Sequence, residues 1–384
     1  MSDYQTSPAA SIRAARERLM LTQEQVAEHL GIPRSAVSEM EAGKRDISAS
    51  ELFALARLFG ESMEQLLGLE ARPPEEELVM LRAEAVTTTG RAALNRFVHL
   101  CRTYRELEEW LGEAREPDVR PVRAILSTYE QAHALADQER KRLDLGLAPG
   151  RQLLEALEER VGIKVLALDL EDGVSGASIH SVQFGSAVLL NHAHTPGRQV
   201  FTLAHEYFHL LTQGRVARSK GQQSLHLCEA QPPGTKKDRA EQLADQFAGR
   251  LLLPPEHFVE RLRLLRREDG TIDRLDLIGL ARYFGVSVQS VFVELAVLKL
   301  VPWDEAKRAY GDPELQDQIL QMGGEQALEP TRFRRLAVKA FLAERISRTR
   351  LAELLEVNVA DVDDEVRHFG GGEPGRGVKI ALPR

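Results

Sequence analysis

The stretch Phe201-Thr202-Leu203-Ala204-His205-Glu206-Tyr207-Phe208-His209-Leu210-Leu211 constrains this chain more than any other. It carries the pattern His-Glu-x-x-His inside a frame of large apolar residues. Residues four apart share a helical face, so a helix here aims His205 and His209 at one point. Phe201, Leu203, Phe208 and Leu211 give the same helix an apolar surface to bury. The fold must therefore place a core helix so that one polar edge opens onto a metal ion. Zinc bound in this way takes a third protein ligand and keeps its fourth position for water. Glu206 stands beside the two ligands, where it can take the proton from that water.

The third ligand has to come from a distant segment. Gly at 212 with His at 215 would supply one nearby, but the chain has Thr212 and Arg215. The run Glu241-Gln242-Leu243-Ala244-Asp245-Gln246-Phe247-Ala248 puts Glu241 and Asp245 four apart on one helical face. Glu241 is the expected ligand, and Asp245 the expected hydrogen-bond partner of a ligand histidine. Asp238, Glu229, His226 and Cys228 are rivals for the third position, and a thiol there would make a softer, redox-sensitive site. One Zn2+ per chain follows from this set.

The chain has 384 residues, 43% of them hydrophobic and 28% charged, which is enough for two or three domains with a sizeable core. The net charge of −8 argues against a general nucleic-acid coat, though not against a small module with a local basic face. Two cysteines, Cys101 and Cys228, make no disulfide scaffold and fit a reducing cytoplasm. No run of about 18 apolar residues lacks a charge, so no membrane span is expected. The most apolar stretch, Ile278 to Val301, is interrupted by Arg282, Glu294 and Lys299. No signal peptide is visible, and the expected location is cytoplasmic.

Punctuation along the chain gives a mainly α fold with a small β-sheet. Residues 1–70 are rich in helix formers and end before Arg72-Pro73-Pro74-Glu75-Glu76-Glu77, a linker composition. Residues 71–121 read as a helical linker, with Leu94, Phe97, Cys101 and Tyr104 on one face as a packing stripe. Residues 122–311 hold the metal motif. Strands are expected at Val165–Leu168 and Ala187–Asn191, with a weaker one at Ala177–Ser181 and turns at Asp172-Gly173 and Ser175-Gly176. Gln213 to Lys237 reads as a long, mobile loop. Residues 312–384 read as a helical C-terminal region with a flexible tail at Gly370–Gly375. Helix-turn-helix-like echoes at Asp276–Glu294 and Ile346–Val366 are weak.

The N-terminal segment has its own motif. Thr22 caps a helix that runs to Gly31, and a second helix begins near Pro33, the usual places for these residues. Val26, Ala27 and Leu30 from the first helix and Val37 and Met40 from the second face inward. Arg34, Ser35, Ser38 and Glu39 are left on the outer face, where a recognition helix meets the major groove. The order Thr22-Gln23-x-x-x-Ala27-x-x-Leu30-Gly31-Ile32, then Ser38-x-x-Glu41-x-Gly43-Lys44-Arg45, closely resembles the XRE/Cro-repressor helix-turn-helix family over residues 8–69. The resemblance implies a five-helix domain that binds a double-stranded DNA operator, most stably as a homodimer. It puts Gln23, Arg34, Ser35, Ser38 and Glu39 where family members touch phosphate or bases, and Lys44 and Arg45 at phosphates.

The metal motif has a resemblance of its own. Arg198-Gln199-Val200-Phe201-Thr202-Leu203-Ala204-His205-Glu206-Tyr207-Phe208-His209, followed by Glu241-x-x-Ala244-Asp245-x-Phe247-Ala248-x-x-Leu251-Leu252-Leu253-Pro254, looks like the ImmA/IrrE metallopeptidase family over about residues 125–300. That resemblance implies a zincin-like domain with His205, His209 and Glu241 as zinc ligands and Glu206 as the catalytic residue. It also implies cleavage of an XRE-type repressor, which switches on stress, phage-like or mobile-element genes. Tyr207-Phe208 is bulkier than the pair often found there. The competing expectation is a non-enzymatic regulator or antitoxin whose zinc domain senses a ligand or is structural.

Overall fold

The structure is a computed structural model that describes residues 7–69, 88–122, 124–170, 173–212, 224–229, 238–322 and 328–370. It divides into two compact units, Met1–His99 with Glu116–Pro330, and Leu100–Arg115 with Thr331–Arg384. The 72–77 linker and the 371–375 part of the expected tail lie outside the described residues.

The first unit opens with five helices, α1 (Pro8–Arg18), α2 (Gln23–Leu30), α3 (Arg34–Glu41), α4 (Ala49–Phe59) and α5 (Met63–Leu66). Their boundaries are local chemistry. Thr22, Ser48 and Ser62 each close a reciprocal capping box with Gln25, Glu51 and Gln65. Gly31 and Gly60 end α2 and α4 in the left-handed region that glycine enters without steric cost. Ile12, Val26, Val37, Met40, Leu55 and Phe59 fill a core of their own. α6 (Thr88–Trp110) follows, and its expected packing stripe of Leu94, Phe97, Cys101 and Tyr104 is buried.

The metal-motif segment is built on one four-stranded sheet of β1 (Lys164–Leu168), β2 (Val174–Ser181), β3 (Gly185–Asn191) and β4 (Ser224–Glu229). The order is β1-β3-β2-β4, with β1 parallel to β3 and the other pairs antiparallel. Every residue of β3 is buried. Before the sheet come α7 (Tyr129–Arg142) and α8 (Leu153–Glu155), which continues as a wider helical turn to Val161. α9 (Pro196–Thr212) packs on β2 and β3, and α10 (Arg239–Leu252) packs on α9 and α7. α11 (Pro255–Leu265), α12 (Arg274–Phe284), α13 (Val288–Val297), α14 (Trp303–Tyr310) and α15 (Pro313–Gln321) complete the unit. The apolar stretch across α12 and α13 bends by 100° between the two helices, and no single described helix is long and apolar enough to cross a membrane.

Two local expectations need correction. Ser175-Gly176 is not a turn but lies inside β2. Glycine is there because a Cβ would sit 2.6 Å from the Leu189 carbonyl oxygen and 2.7 Å from Cγ2 of Thr202 on α9. A strand glycine of this kind marks close approach by a neighbour, here the helix that carries the metal motif. Gly176→Ala should therefore lift α9 from the sheet and cost about 1–3 kcal/mol, read by urea unfolding. The second correction is to the 213–237 loop, since residues 224–229 form β4, an edge strand. Six residues that pair only with β2 among the described residues leave too weak a local signal to set against the polar, glycine-rich run around them. Residues 213–223 and 230–237 lie outside the described residues.

Glu294 of α13 is buried, and burial pushes its carboxyl up from 4.5 to about 7, with the Arg250 charge opposing. A raised acid stabilises the fold only while protonated. Its contribution is complete below the unfolded value of 4.5 and is lost as pH rises through about 7. The full shift corresponds to on the order of 3 kcal/mol. Glu294→Gln should thus be more stable than the parent at pH 8, with the difference closing by pH 5, as measured by thermal unfolding across that range.

The second unit joins the Leu100–Arg115 segment to α16 (Arg332–Leu342), α17 (Arg348–Leu355) and α18 (Val362–Phe369). Its core holds Tyr104 and Phe333, with ring centroids 5.3 Å apart, and a buried Arg332–Glu108 ion pair at 2.6 Å.

Candidate metal centre

α9 is amphipathic in an uneven way, with all of Thr202 to Leu211 buried. Its apolar residues enter the core, and its polar residues converge on one edge. His205 Nε2 and His209 Nε2 stand 3.1 Å apart. Glu241, in the first turn of α10, reaches both, with Oε2 at 3.2 Å from His205 Nε2 and Oε1 at 3.2 Å from His209 Nε2. Asp238 caps α10 by accepting from the Glu241 backbone N–H at 2.9 Å, so this rival serves to position the carboxylate instead. Asp245, one turn on, lies 3.1 Å from His205 Nδ1. That contact fixes the Nδ1–H tautomer and turns the Nε2 lone pair towards His209 and Glu241.

The donor set fits a metal ion. A tetrahedral ion with bonds of about 2.0–2.1 Å holds its ligand atoms about 3.3 Å apart. The Nε2–Nε2 separation of 3.1 Å lies near that edge length, and Glu241 gives one oxygen to each imidazole at 3.2 Å. Three electron-pair donors this close repel one another without a cation or a shared proton between them. The electrostatics show the same demand. Burial acts to lower the His205 pKa, yet Asp245, Cys228 and Glu241 together raise it well above the ordinary value. Burial lowers that of His209. Burial works to raise the Glu241 carboxyl, and His205, His209 and His226 overcome it and hold it far below the usual carboxylate range.

Glu206 is fully buried, and among the described residues neither carboxylate oxygen has a hydrogen-bond partner. An unsatisfied buried carboxylate is costly and calls for a ligand in the space it faces. The bulk of Tyr207 and Phe208 goes elsewhere. The Tyr207 hydroxyl donates to Glu139 and accepts from Arg142 at 2.7 Å, both on α7, while Phe208 packs on Phe247 with centroids 5.4 Å apart. This buried Tyr207–Glu139–Arg142 cluster locks the back of the motif helix. Tyr207 lies more than sixty residues from both Glu139 and Arg142, so no local pattern announces its partners.

The structure also brings two of the rivals to the site on β4. His226 Nε2 lies 3.1 Å from Glu241 Oε1, and its ring stacks on that of His209 at 3.5 Å and 25°. Cys228 groups with His205 and Glu206, their donor atoms all within 4.8 Å of one another. The Glu229 side chain is outside the described residues. Away from the metal centre, Arg34, Ser35, Ser38, Glu39 and Lys44 are exposed in the helix-turn-helix segment. Gln23 is half-buried and donates to Glu41 at 2.9 Å, and Arg45 pairs with Glu51 at 2.6 Å.

Residues 12–66 match the model of the helix-turn-helix family, and residues 158–295 match that of the IrrE N-terminal-like domain. A propionyl-CoA carboxylase regulator of Cereibacter sphaeroides is 28% identical over 315 residues, covering 76% of this chain. The match spans 64% of that relative's length. Among solved structures, a Mycobacterium tuberculosis transcriptional regulator is 20% identical, with 54% of each chain covered and a TM-score of 0.31. ComR from Streptococcus suis is 13% identical, covering 95% of this chain and 94% of its own, with a TM-score of 0.16. This chain joins a helix-turn-helix domain to an IrrE N-terminal-like domain.

Proposed function

We propose that this chain is a DNA-binding regulator whose second domain is a zinc-dependent endopeptidase, acting on an XRE-type repressor or on itself. The observation that carries the reading is the convergence of His205, His209 and Glu241 on one point beside the unpartnered, fully buried Glu206. Zinc, when bound, polarises a carbonyl and acidifies a water. Each protein group then has one task. His205, His209 and Glu241 hold the ion, and Asp245 keeps His205 in the tautomer that presents Nε2. Glu206 takes the proton at its free carboxylate and returns it to the leaving amine. Self-cleavage would fall in the 70–77 or 113–121 segments, and only the second of these is among the described residues.

For the N-terminal domain, Arg34, Ser35, Ser38 and Glu39 form the base-reading face, with Gln23, Lys44 and Arg45 at phosphates. Gln23 and Arg45 have to exchange their partners Glu41 and Glu51 for the nucleic acid. One small module makes few contacts, so operator binding is by a homodimer. Arg34→Ala should weaken binding to the operator by about 1–3 kcal/mol and relax specificity at one base pair, as read by titration against labelled operator and against a scrambled duplex.

The test of the peptidase reading is N-terminal proteomics in the native host, comparing the parent with Glu206→Gln, with and without DNA damage. New N-termini that require Glu206 name the substrate; their absence under every stress overturns the reading. A second reading is a non-enzymatic regulator whose zinc domain senses a ligand. It is favoured by the name of the Cereibacter sphaeroides relative, which describes a regulator and not a peptidase. In that case a small ligand, not Glu206, controls operator affinity.

A further inference from the structure

We propose that His205, Glu206 and Cys228 form a second metal site, for a thiophilic cation of the Cu+ or Cd2+ kind, whose occupation excludes zinc from His205, His209 and Glu241. Among the described residues the metal-binding side chains sort into two groups. One holds His205, His209, His226 and Glu241, the other His205, Glu206 and Cys228, and within each the ligand atoms lie within 4.8 Å of one another. His205 alone belongs to both. The second group stands on its own residues, and its effect on zinc rests on the peptidase reading given above.

The thiol reaches this place through the sheet. On β4, Cys228 stands opposite Gly176 of β2, and residues paired across two strands project to the same face. A Cβ on Gly176 would meet Cγ2 of Thr202 on α9 at 2.7 Å. Cys228 therefore projects towards α9. Glu206 and His205 lie four and three residues beyond Thr202, on the side of α9 that Thr202 shares with them. Bonds of about 2.3 Å to sulfur and 2.0–2.1 Å to nitrogen or oxygen hold ligand atoms about 3.3–3.8 Å apart. From separations within 4.8 Å, side-chain shifts of about 1 Å close the set.

Glu206 supplies an independent reason for a cation here. It is fully buried, and among the described residues both its oxygens are unpartnered. A carboxylate in that state is costly, and an ion shared with the thiol satisfies it directly. Sulfur sets the choice of ion, because soft thiolate ligands favour ions such as Cu+. The two groups compete through one atom. Asp245 takes Nδ1 of His205 at 3.1 Å, which leaves Nε2 as the metal-binding nitrogen in both. One lone pair serves one ion. A thiophilic cation in the second group thus displaces zinc and engages Glu206, so the zinc and the base are lost together. The thiol proton goes to bulk solvent as the S–metal bond forms, and no oxidant or reductant takes part.

Cadmium reports the thiolate directly, by an ultraviolet thiolate-to-metal charge-transfer absorption. The full chain with one equivalent of Cd2+ should show that absorption and then take up no zinc. Cys228→Ser should lose the absorption, bind Cd2+ about tenfold or more weakly, and still take up one zinc. Glu206→Gln should weaken Cd2+ by a similar factor and leave zinc uptake as in the parent. His209→Ala should lose zinc and keep the cadmium absorption. Cys101→Ser, at the only other cysteine, should keep both. Circular dichroism checks that each variant is folded. The inference is overturned by a parent without the absorption, by an absorption that survives Cys228→Ser, or by one that disappears with His209→Ala. Zinc and cadmium bound together, one of each per chain, overturn the exclusion. Zinc uptake that ignores His209→Ala, beside an intact cadmium absorption, removes the zinc reading of the first group and leaves the thiol site standing.

Discussion

If the second domain is the proposed peptidase, Glu206→Gln should lower peptide-bond cleavage by about 10²–10⁴-fold while one metal ion per chain stays bound. The physical ground is the division of labour inside one helical turn. His205 and His209 point their Nε2 atoms at Glu241 at 3.2 Å each, so metal affinity depends on those three groups and on Asp245 behind His205. Glu206 makes no hydrogen bond to any of them. Glutamine keeps its shape and volume and removes only the ability to take a proton, so a loss of rate without loss of metal isolates proton transfer. The measurement pairs metal content with single-turnover cleavage of a substrate found by N-terminal proteomics. Equal rates for the two proteins would sink the mechanism, and loss of metal along with activity would mean that Glu206 holds the site together instead.

Glu139→Ala should produce the largest loss of stability, about 3 kcal/mol, because it removes the buried carboxylate from a half-buried guanidinium that is left with Asp118 and Tyr207 alone. Arg142 donates to Glu139 at 2.7–3.0 Å through three contacts and to Tyr207 at 2.7 Å. Glu139 is 2% exposed, and no water can replace its oxygens cheaply. Domains are stable by only about 5–15 kcal/mol in total, so the change takes away a large share. Denaturant unfolding at neutral pH measures it. Glu139→Gln keeps an acceptor and should cost less, and Tyr207→Phe, which removes one hydroxyl, should cost about 1 kcal/mol. If Glu139→Ala unfolds like the parent, the cluster is not holding the motif helix.

Much of the site can be read from local pattern. His205 and His209 are four apart and Glu206 and His209 three apart, so spacing alone decides that the two imidazoles share a face with Glu206 at its side. Asp245 follows Glu241 by one turn for the same reason. The helix-turn-helix segment is legible because caps and left-handed glycines act within four residues, as at Thr22, Gly31, Ser48 and Gly60. The inside of β2 misled because Gly176 carries the same local mark as a turn glycine, and the cause of its presence, Thr202 on α9, is 26 residues away.

The remainder depended on long-range packing. The sequence by itself determined that a core helix would carry two imidazoles with a carboxylate beside them, and that a separate segment with two capped helices joined at Gly31 would precede it, since helical period and capping are short-range forces. Only the tertiary structure decided that Tyr207 is tied to Glu139 and Arg142, and that β4 brings His226 beside His209 and Glu241 and Cys228 beside His205 and Glu206. These contacts join residues that no periodicity relates. What brings them together is burial of the apolar faces of α7, α9 and α10 against one another and of α9 against the sheet, a driving force proportional to area and indifferent to which polar groups it carries inward.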